Sequence, residues 1–364
     1  MKFRCFVLGL YARVSGCGPA SLLAGLVFGG LSLVSCEREF TPNAEWREVP
    51  SVYCLMDQDD DTVFVRLQRC YLGDGNMLEY GMAADSIYYP ADAVEVLMRV
   101  WRSEAEAGRT GVTPLYELRF ERMMRDKVEG AFASGPQPVY FHRNAAGEMN
   151  PAYTYELVVR RTADGATLAS ATTRLLGNPD ATRGWLISPS RVGGTGRVTF
   201  NMLTGSCLIK WTPLERGRLY QPRVRFYYRY RFAPDSLRYT DVRCDVVRQT
   251  SQQSTELTTS VYKEYYLGEI AKALAGDTNH KMFVDTVAII MDVANEPLNA
   301  YIAVTTAADR QNYLMFGNIE GGVGLFGARR CHLMEHVLAD KGDQVTGMHT
   351  LLENLGVGFQ QNDL

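Results

Sequence analysis

The stretch YTYELVVRRTADGATLASATTRLL, residues 153–176, decides the fold class. Apolar and polar side chains alternate through residues 153–161, which is the period of a β-strand with one buried face. Ala163-Asp164-Gly165 then predicts a tight turn, after which residues 166–176 return as a second strand. The stretch therefore predicts an antiparallel hairpin.

Further short runs with the same alternation lie on both sides of this hairpin. Residues 62–72 and 92–101 alternate in this way, and turns rich in Gly, Asp and Pro separate the runs. Many short alternating strands with turn signals between them are typical of a β-sandwich. The sequence therefore predicts an all-β fold, mainly antiparallel, with β-sandwich-like domains.

A glycine- and proline-rich segment, residues 177–196, predicts a domain boundary. We expect an N-terminal β-sandwich domain over residues 49–180 and a C-terminal β-rich domain over residues 197–364. The second domain contains one predicted short helix, residues 261–275, because apolar positions there recur at helical spacing between a capping serine and a glycine. Residues 300–306 are predicted as a strand.

The N-terminus has the pattern of a targeting segment. A basic start is followed by an uncharged run to residue 35 and by Leu33-Val34-Ser35-Cys36. This ending resembles the bacterial lipobox, which predicts a signal peptide over residues 1–35 and lipidation of Cys36. An uncleaved membrane-spanning helix is the alternative, since the uncharged run is long enough to span a bilayer.

Composition excludes some classes of function and limits the cysteine chemistry. The net charge is −3, so no basic excess points to nucleic acid. Five cysteines follow Cys36, an odd number at wide spacing, which is not the pattern of a disulfide framework. We expect most of them to be buried free thiols, and one or two bridges stay open: Cys54, Cys70, Cys207, Cys244 and Cys331.

Three stretches together resemble a family of uncharacterised outer-membrane lipoproteins from Bacteroidota. They are VYCLMDQDDDTVFVRLQRCYLGDGNMLEYGMAADSIYY (52–89), VRFYYRYRF (224–232) and NYLMFGNIEGGVGLFGARR (312–330). The resemblance implies an outer-membrane location and this fold, and it transfers no functional residue except Cys36. Residues 36–48 would be the tether, and Glu37 and Glu39 resemble a surface-export signal of that phylum.

Two short motifs suggest ligands but lack the residues those ligands need. Asp57 to Asp61 could begin a calcium loop, but Thr62 and Gln68 stand where an EF-hand requires Gly and Glu. Residues 322–327 match G-x-G-x-x-G, but no βαβ unit surrounds them. We expect a hairpin loop at the first motif and a tight glycine turn at the second.

Residues 332–336, HLMEH, match the H-x-x-E-H pattern of a class of zinc hydrolases. On a helix, His332 and His336 would share a face and bind zinc, with Glu335 as general base. A third ligand is lacking downstream, where Glu353 is the sole glutamate. Zinc hydrolysis, or an adventitious metal site that includes Cys331 or His349, is therefore a minor alternative.

The arginine-rich stretch QPRVRFYYRYRF, residues 221–232, divides by period two into an aromatic face and an arginine face. A hairpin centred near Asp235 would place Arg229 opposite Asp241 and Arg225 opposite Asp245. We predict a structural hairpin in preference to a site for phosphate or sulfated glycan.

These observations predict a non-enzymatic binding or accessory subunit, lipid-anchored at the outer membrane on its periplasmic or cell-surface face. No catalytic residue, cofactor or metal is expected. Expected partners are the membrane through the lipid, and a transporter, secretion machinery, glycan or peptide. A fimbrial subunit is the structural alternative, and it would need protease cleavage at Arg38 or Arg47.

Overall fold

The computed structural model describes residues 48–70, 77–127, 135–178, 186–189, 199–200, 205–249, 255–306, 317–339 and 347–360. The chain divides into two units, Met1–Trp46 and Arg47–Leu364, and all described residues belong to the second. Cys36, the signal peptide and most of the tether lie outside the described residues. No helix in the described ranges has the length and apolar character needed to cross a membrane.

The described residues are mostly β-strand, so the predicted all-β, mainly antiparallel fold is confirmed. Strands β1 to β17, in chain order, are Pro50–Met56, Thr62–Arg69, Val94–Trp101, Tyr116–Arg119, Glu121–Lys127, Gly135–Arg143, Thr154–Arg161, Thr167–Arg174, Leu186–Pro189, Thr199–Phe200, Ser206–Trp211, Leu219–Tyr230, Ala233–Arg243, Val247–Arg248, Leu257–Tyr262, Lys281–Ala294 and Val323–Ala339. Helices α1 to α5 are Met77–Met82, Ala84–Ile87, Lys263–Ala273, Glu296–Thr306 and Met348–Glu353.

The hairpin predicted from residues 153–176 is formed by β7 and β8. Its register pairs Thr154 with Arg174 and Leu157 with Ala171, as expected for a turn centred on Asp164. The two strands belong to a four-stranded sheet in the order β4-β3-β7-β8. The alternation in the sequence therefore places Leu157 in the core and Thr154 and Arg174 on the other face of this sheet.

A ten-stranded sheet connects the two halves of the unit. Its main path is β13-β12-β16-β17-β1-β2-β6-β5, and a three-stranded sheet, β15-β11-β9, lies outside it. The first strand and the last are neighbours in this path, because β1 pairs with β17 in parallel, with Cys54 opposite Phe326. Strands from both expected domains thus share one sheet.

Two hydrophobic cores lie against this shared sheet. The N-terminal core packs β1 and β2 against the four-stranded sheet, and Val52, Val65 and Tyr155 are buried in it. The C-terminal core packs β12 and β16 against the three-stranded sheet and α3, and it buries Phe226 and Trp211. Ile319, Phe326 and Ala328, which lie beyond the expected boundary at residues 177–196, are buried in the N-terminal core, so the later part of the chain contributes to both cores.

The glycine-rich stretch at 322–327 allows neighbouring backbone to approach β17 closely. Gly324 has φ +124°, and a Cβ atom there would stand 1.9 Å from the carbonyl oxygen of Val52. Gly327 faces α4, where a Cβ atom would stand 3.4 Å from that of Leu298. These glycines lie in or beside a strand, with no phosphate-binding turn before a helix, so their role is close packing.

One predicted element is wrong: residues 300–306 form the second half of helix α4, Glu296–Thr306, and not a strand. Several β-branched residues suggested the strand. The helix forms because Asn295 precedes it and accepts a hydrogen bond from Leu298 N at 3.4 Å, and because Pro297 suits the first turn. Tyr301 then packs edge-on against Tyr53 of β1, with ring centroids 6.2 Å apart.

The other predicted helix, residues 261–275, corresponds to α3, Lys263–Ala273. Its first predicted residues instead complete β15, where Val261 pairs with Cys207. Tyr266 and Ile270 are buried in the C-terminal core, which explains the helical spacing of the apolar residues.

Candidate functional site

The arginine-rich strand β12 has Val224, Phe226 and Tyr228 in the C-terminal core, as predicted. Phe232, predicted on the same face, lies past the end of the strand and is 84% exposed. Its register with β13 differs from the prediction, because Arg225 and not Arg229 lies opposite Asp241. The predicted turn near Asp235 is wrong. The chain turns between Tyr230 and Ala233, and a bulge in β13 takes up the extra residues.

The arginines nearest Asp241 are held by carboxylates. Arg225 donates two hydrogen bonds to Asp241, at 2.7 and 3.0 Å, and stacks over Tyr239 at 3.9 Å. Arg223 bridges Asp241 and Asp292, at 2.8 Å each. These bonds, those from Arg225 foremost, lower the pKa of Asp241. This part of the strand is therefore a structural ion-pair network.

The acidic stretch Asp57 to Asp61 forms the loop between β1 and β2, as predicted. Its carboxylates face arginines of β17: Asp59 lies 3.2 Å from Arg330, and Asp60 lies 3.7 Å from Arg329. Ion pairs between the loop and β17 therefore account for these two charges.

The H-x-x-E-H stretch lies within strand β17 and not on a helix. Residues 332 and 336 are consequently about 13 Å apart along the strand, not one helical turn apart. The helical geometry that the zinc alternative needs is therefore absent. For residues 335 and 336 the structure describes the backbone only. Burial, with the nearby Arg330, lowers the pKa of His332. No group of three potential metal ligands occurs among the described residues.

All five cysteines beyond Cys36 are free thiols. Cys54, Cys207 and Cys244 are buried, and burial raises the pKa of Cys54 and Cys244. The expectation of buried free thiols is confirmed for these three, and a high pKa makes a thiol a poor nucleophile.

A cavity of about 220 Å³ lies where the two halves of the unit meet. Thr154 and Arg174, at the open end of the β7–β8 hairpin, form one wall of the cavity. The loop before β12 and the start of α4 form the other wall. Three arginines line this cavity, and the sequence does not bring them together: Arg174, Arg216 and Arg218.

Thr154 and Arg174 lie side by side in this cavity, and each has one buried polar atom without a hydrogen-bond partner. They are a cross-strand pair, so their side chains project from the same face of the hairpin. Thr154 is 1% exposed, and its Oγ1 has no hydrogen-bond partner; the same holds for the buried Nε of Arg174. A buried polar atom without a partner costs about 1–3 kcal/mol. Other described residues also have such atoms, Trp211 Nε1 and Thr212 Oγ1 among them, but Thr154 and Arg174 line one cavity together.

Arg216 holds the opposite wall in place. Its Nε donates to Leu175 O at 2.7 Å, and its Nη2 donates to Pro151 O at 2.8 Å. The residue has φ +66°, a strained conformation for a non-glycine residue, and such strain is concentrated at functional sites. Burial, and secondarily the charge of Arg174, lower the pKa of Arg216. The two guanidinium groups therefore repel each other across the cavity.

Arg218 and Asn295 complete the cavity. Arg218 Nε lies 3.2 Å from Glu296, so its charge is balanced. Asn295 is 3% exposed and donates to Thr173 Oγ1 at 2.9 Å. Arg216 Nη1 is paired with the carboxylate of Glu215, so Arg174 is the arginine with no carboxylate partner among the described cavity residues.

Sequence reasoning did not find this site, although one signal for it was present. A turn centred on Asp164 already implies that Thr154 pairs with Arg174. What the sequence lacks is any sign that the loop around Arg216 lies beside this pair.

No protein-family model matches the chain, and no curated protein matches it. Among solved structures, a chain of a cytokine receptor complex is similar over 68% of this chain and 92% of that chain. The two are 12% identical, with a TM-score of 0.18, so this likeness carries no argument about fold or function.

Proposed function

We propose that this protein is a lipid-anchored lipoprotein of the outer membrane that acts as a non-enzymatic binding subunit, and that the cavity at Arg174 binds a carboxylate. The observation that carries the proposal is the adjacent, buried and unpartnered pair of Arg174 Nε and Thr154 Oγ1. The guanidinium donates and carries positive charge, and the hydroxyl can donate as well.

A carboxylate suits this pair better than a dianion does. The edge of a guanidinium formed by Nε and one Nη donates two parallel hydrogen bonds, which match the two oxygens of a carboxylate. One negative charge also balances the one arginine that lacks a carboxylate partner in the described cavity. Glu104 and Glu296 line the cavity too and oppose a second negative charge.

A binding role fits this cavity because its lining offers donors but no nucleophile paired with a base. The described lining contains threonine, arginine, asparagine, glutamate and proline, and neither histidine nor cysteine. Such a set can hold and orient a ligand.

Saturation-transfer NMR with acetate tests the binding site on the full chain purified in detergent. We expect the acetate methyl signal to show transfer with the wild type and to lose it with Arg174→Gln. The matched control is Arg119→Gln, because that side chain is 72% exposed on β4, at the opposite edge of the same sheet from β8. Equal transfer to the wild type and Arg174→Gln would remove the proposed site.

Fatty-acid labelling tests the anchor separately. The lipobox ending at Cys36 is the observation behind it. We expect a clickable fatty acid to label the wild type and not Cys36→Ala, which should remain an unprocessed precursor or become soluble. Equal labelling of both proteins would refute lipidation at this residue.

A further inference from the structure

A second cavity of about 290 Å³ continues from the first along the same face of the β7–β8 hairpin. The two cavities share Glu104 and Thr172 in their linings. Residues 170, 172 and 174 of β8 all lie on this face of the hairpin, and successive members of this set are about 7 Å apart along the strand. The two cavities therefore form one groove with Thr172 at its centre.

The two ends of this groove carry opposite charge. The first cavity contains Arg174, the second contains Glu156 and Glu320, and Glu104 lies where the two cavities join. Glu156 is 8% exposed and already accepts a hydrogen bond from Trp101 Nε1 at 2.9 Å. Within the described part of the chain, Glu104 and Glu320 are exposed carboxylates with no ion-pair partner.

Glu320 is held beside the hairpin by its backbone. Its N–H donates to Ser170 O at 2.7 Å, and its carbonyl accepts from Ser170 N at 3.0 Å. The side chain of Asn318 steadies the same segment through hydrogen bonds to both backbone groups of Phe326, at 2.7 and 2.9 Å. The negative end of the groove is therefore positioned by the fold.

We infer that the ligand is a short peptide of two or three residues, with its C-terminal carboxylate at Arg174 and Thr154 and its N-terminal ammonium at Glu104 and Glu320. This inference rests on the proposed function and adds a second recognised group. Along β8, Thr172, which lines both cavities together with Glu104, is about 7 Å from Arg174, and Ser170, to which Glu320 is hydrogen-bonded, is about 13 Å from Arg174. A three-residue peptide spans at most about 10 Å, which lies between these two distances. A free amino acid is too short to reach both ends of the groove, because its ammonium and carboxylate groups are attached to the same carbon atom.

Calorimetry with three related probes tests this assignment on the full chain in detergent. The probes are triglycine, N-acetyl-triglycine, which lacks the ammonium, and triglycine amide, which lacks the carboxylate. We expect triglycine to bind roughly tenfold more tightly than either blocked peptide, since each block removes a charge-assisted hydrogen bond.

Two variants assign the ammonium to the glutamates. In a Glu104→Gln, Glu320→Gln double variant, we expect triglycine and N-acetyl-triglycine to bind equally well. The matched control is Glu121→Gln, an exposed glutamate of β5 outside both cavities, which should keep the tenfold preference.

The possible failures are distinguishable from failure of the proposed function. Equal binding of triglycine and its acetylated form by the wild type would overturn the peptide assignment, while acetate transfer dependent on Arg174 would still support a carboxylate site. Equal binding of triglycine and its amide would also overturn the assignment. Absence of binding by all three probes would overturn it as well.

Discussion

Two cations of this protein, the buried Lys281 and the half-buried Arg174, differ in whether their buried nitrogen atoms have hydrogen-bond partners. The Lys281 side chain is 0% exposed, and its ammonium donates to three carbonyl oxygens, those of Asp277, Asn279 and Val357, at 2.8–2.9 Å. Arg174 has a buried Nε with no acceptor. A buried charge whose hydrogen bonds are all formed indicates a structural role, whereas under the proposed function the ligand supplies the acceptor that Arg174 Nε lacks.

Lys281 connects the C-terminal segment to the core. Its backbone N–H donates to Gly358 O at 2.8 Å, and its carbonyl accepts from Gln360 N at 3.1 Å. Asp277 Oδ2 lies 3.3 Å from Nζ and supplies the balancing charge. Gly358 has φ +89°, and a Cβ atom there would stand 2.5 Å from Asn279 O, so this arrangement leaves no room for a side chain.

The largest effect on stability is expected from the replacement of Lys281. Lys281→Met should lower the free energy of unfolding by about 3–5 kcal/mol, because it leaves three buried carbonyl oxygens without a donor and Asp277 without its opposite charge. Chemical denaturation measures the change. Lys210→Met is the matched control, since Lys210 forms a partly exposed pair with Glu256 and should lose at most about 1 kcal/mol. Equal losses in both variants would contradict the structural role of Lys281.

The second prediction concerns the carboxylate that balances Lys281. Burial alone would raise the pKa of Asp277, but hydrogen bonds from Asn279, Tyr230 and Lys281 lower it to about 2. Because the pKa is lower in the folded protein, this group adds stability above about pH 4, and that stability is lost as the pH falls towards 2.

Thermal denaturation between pH 5 and pH 2 measures this effect on buffered samples, where roughly the whole change is expected below pH 4. Asp277→Asn should be less stable than the wild type at pH 5, and the difference should shrink as the pH falls. Parallel curves for the two proteins would show that Asp277 is not the titrating group.

The smallest effect is expected at the cavity. Thr154→Val keeps the shape of the side chain and removes a buried hydroxyl with no partner, so the free protein should become more stable by up to about 1 kcal/mol. The same variant should weaken acetate binding, because it deletes one of the two proposed donors. A loss of stability would mean that the hydroxyl already has a partner in the free protein, and the contrast with Lys281 would then fail.

Local patterns predicted the elements whose stabilising contacts are close in sequence. The alternation around Asp164 predicted the β7–β8 hairpin, and the division of β12 into faces correctly assigned Val224 and Phe226 to the core. Local patterns gave the wrong element where a short run of residues packs against a part of the chain that is distant in sequence. Residues 300–306 looked like a strand, but Asn295 begins a helix there and β1 supplies Tyr53 as its packing partner.

The candidate site was less predictable than the fold. Its core, Thr154 and Arg174, follows from the hairpin register, whereas Arg216 reaches the cavity from a loop in the other half of the unit. The register of the arginine-rich hairpin also could not be predicted, because a bulge in β13, between Ala233 and Leu237, changes which residue lies opposite Asp241. Bulges and loop positions depend on packing that no local period records.

The sequence by itself determined the β class, the β7–β8 hairpin and the buried faces of its strands, because side-chain alternation acts over a few residues. Only the tertiary structure decided that β1 lies against β17, that one sheet serves two cores, and that Arg174 meets Arg216 across a cavity. These features join residues far apart in the chain, and they depend on which backbones can approach closely, as Gly324 allows at Val52.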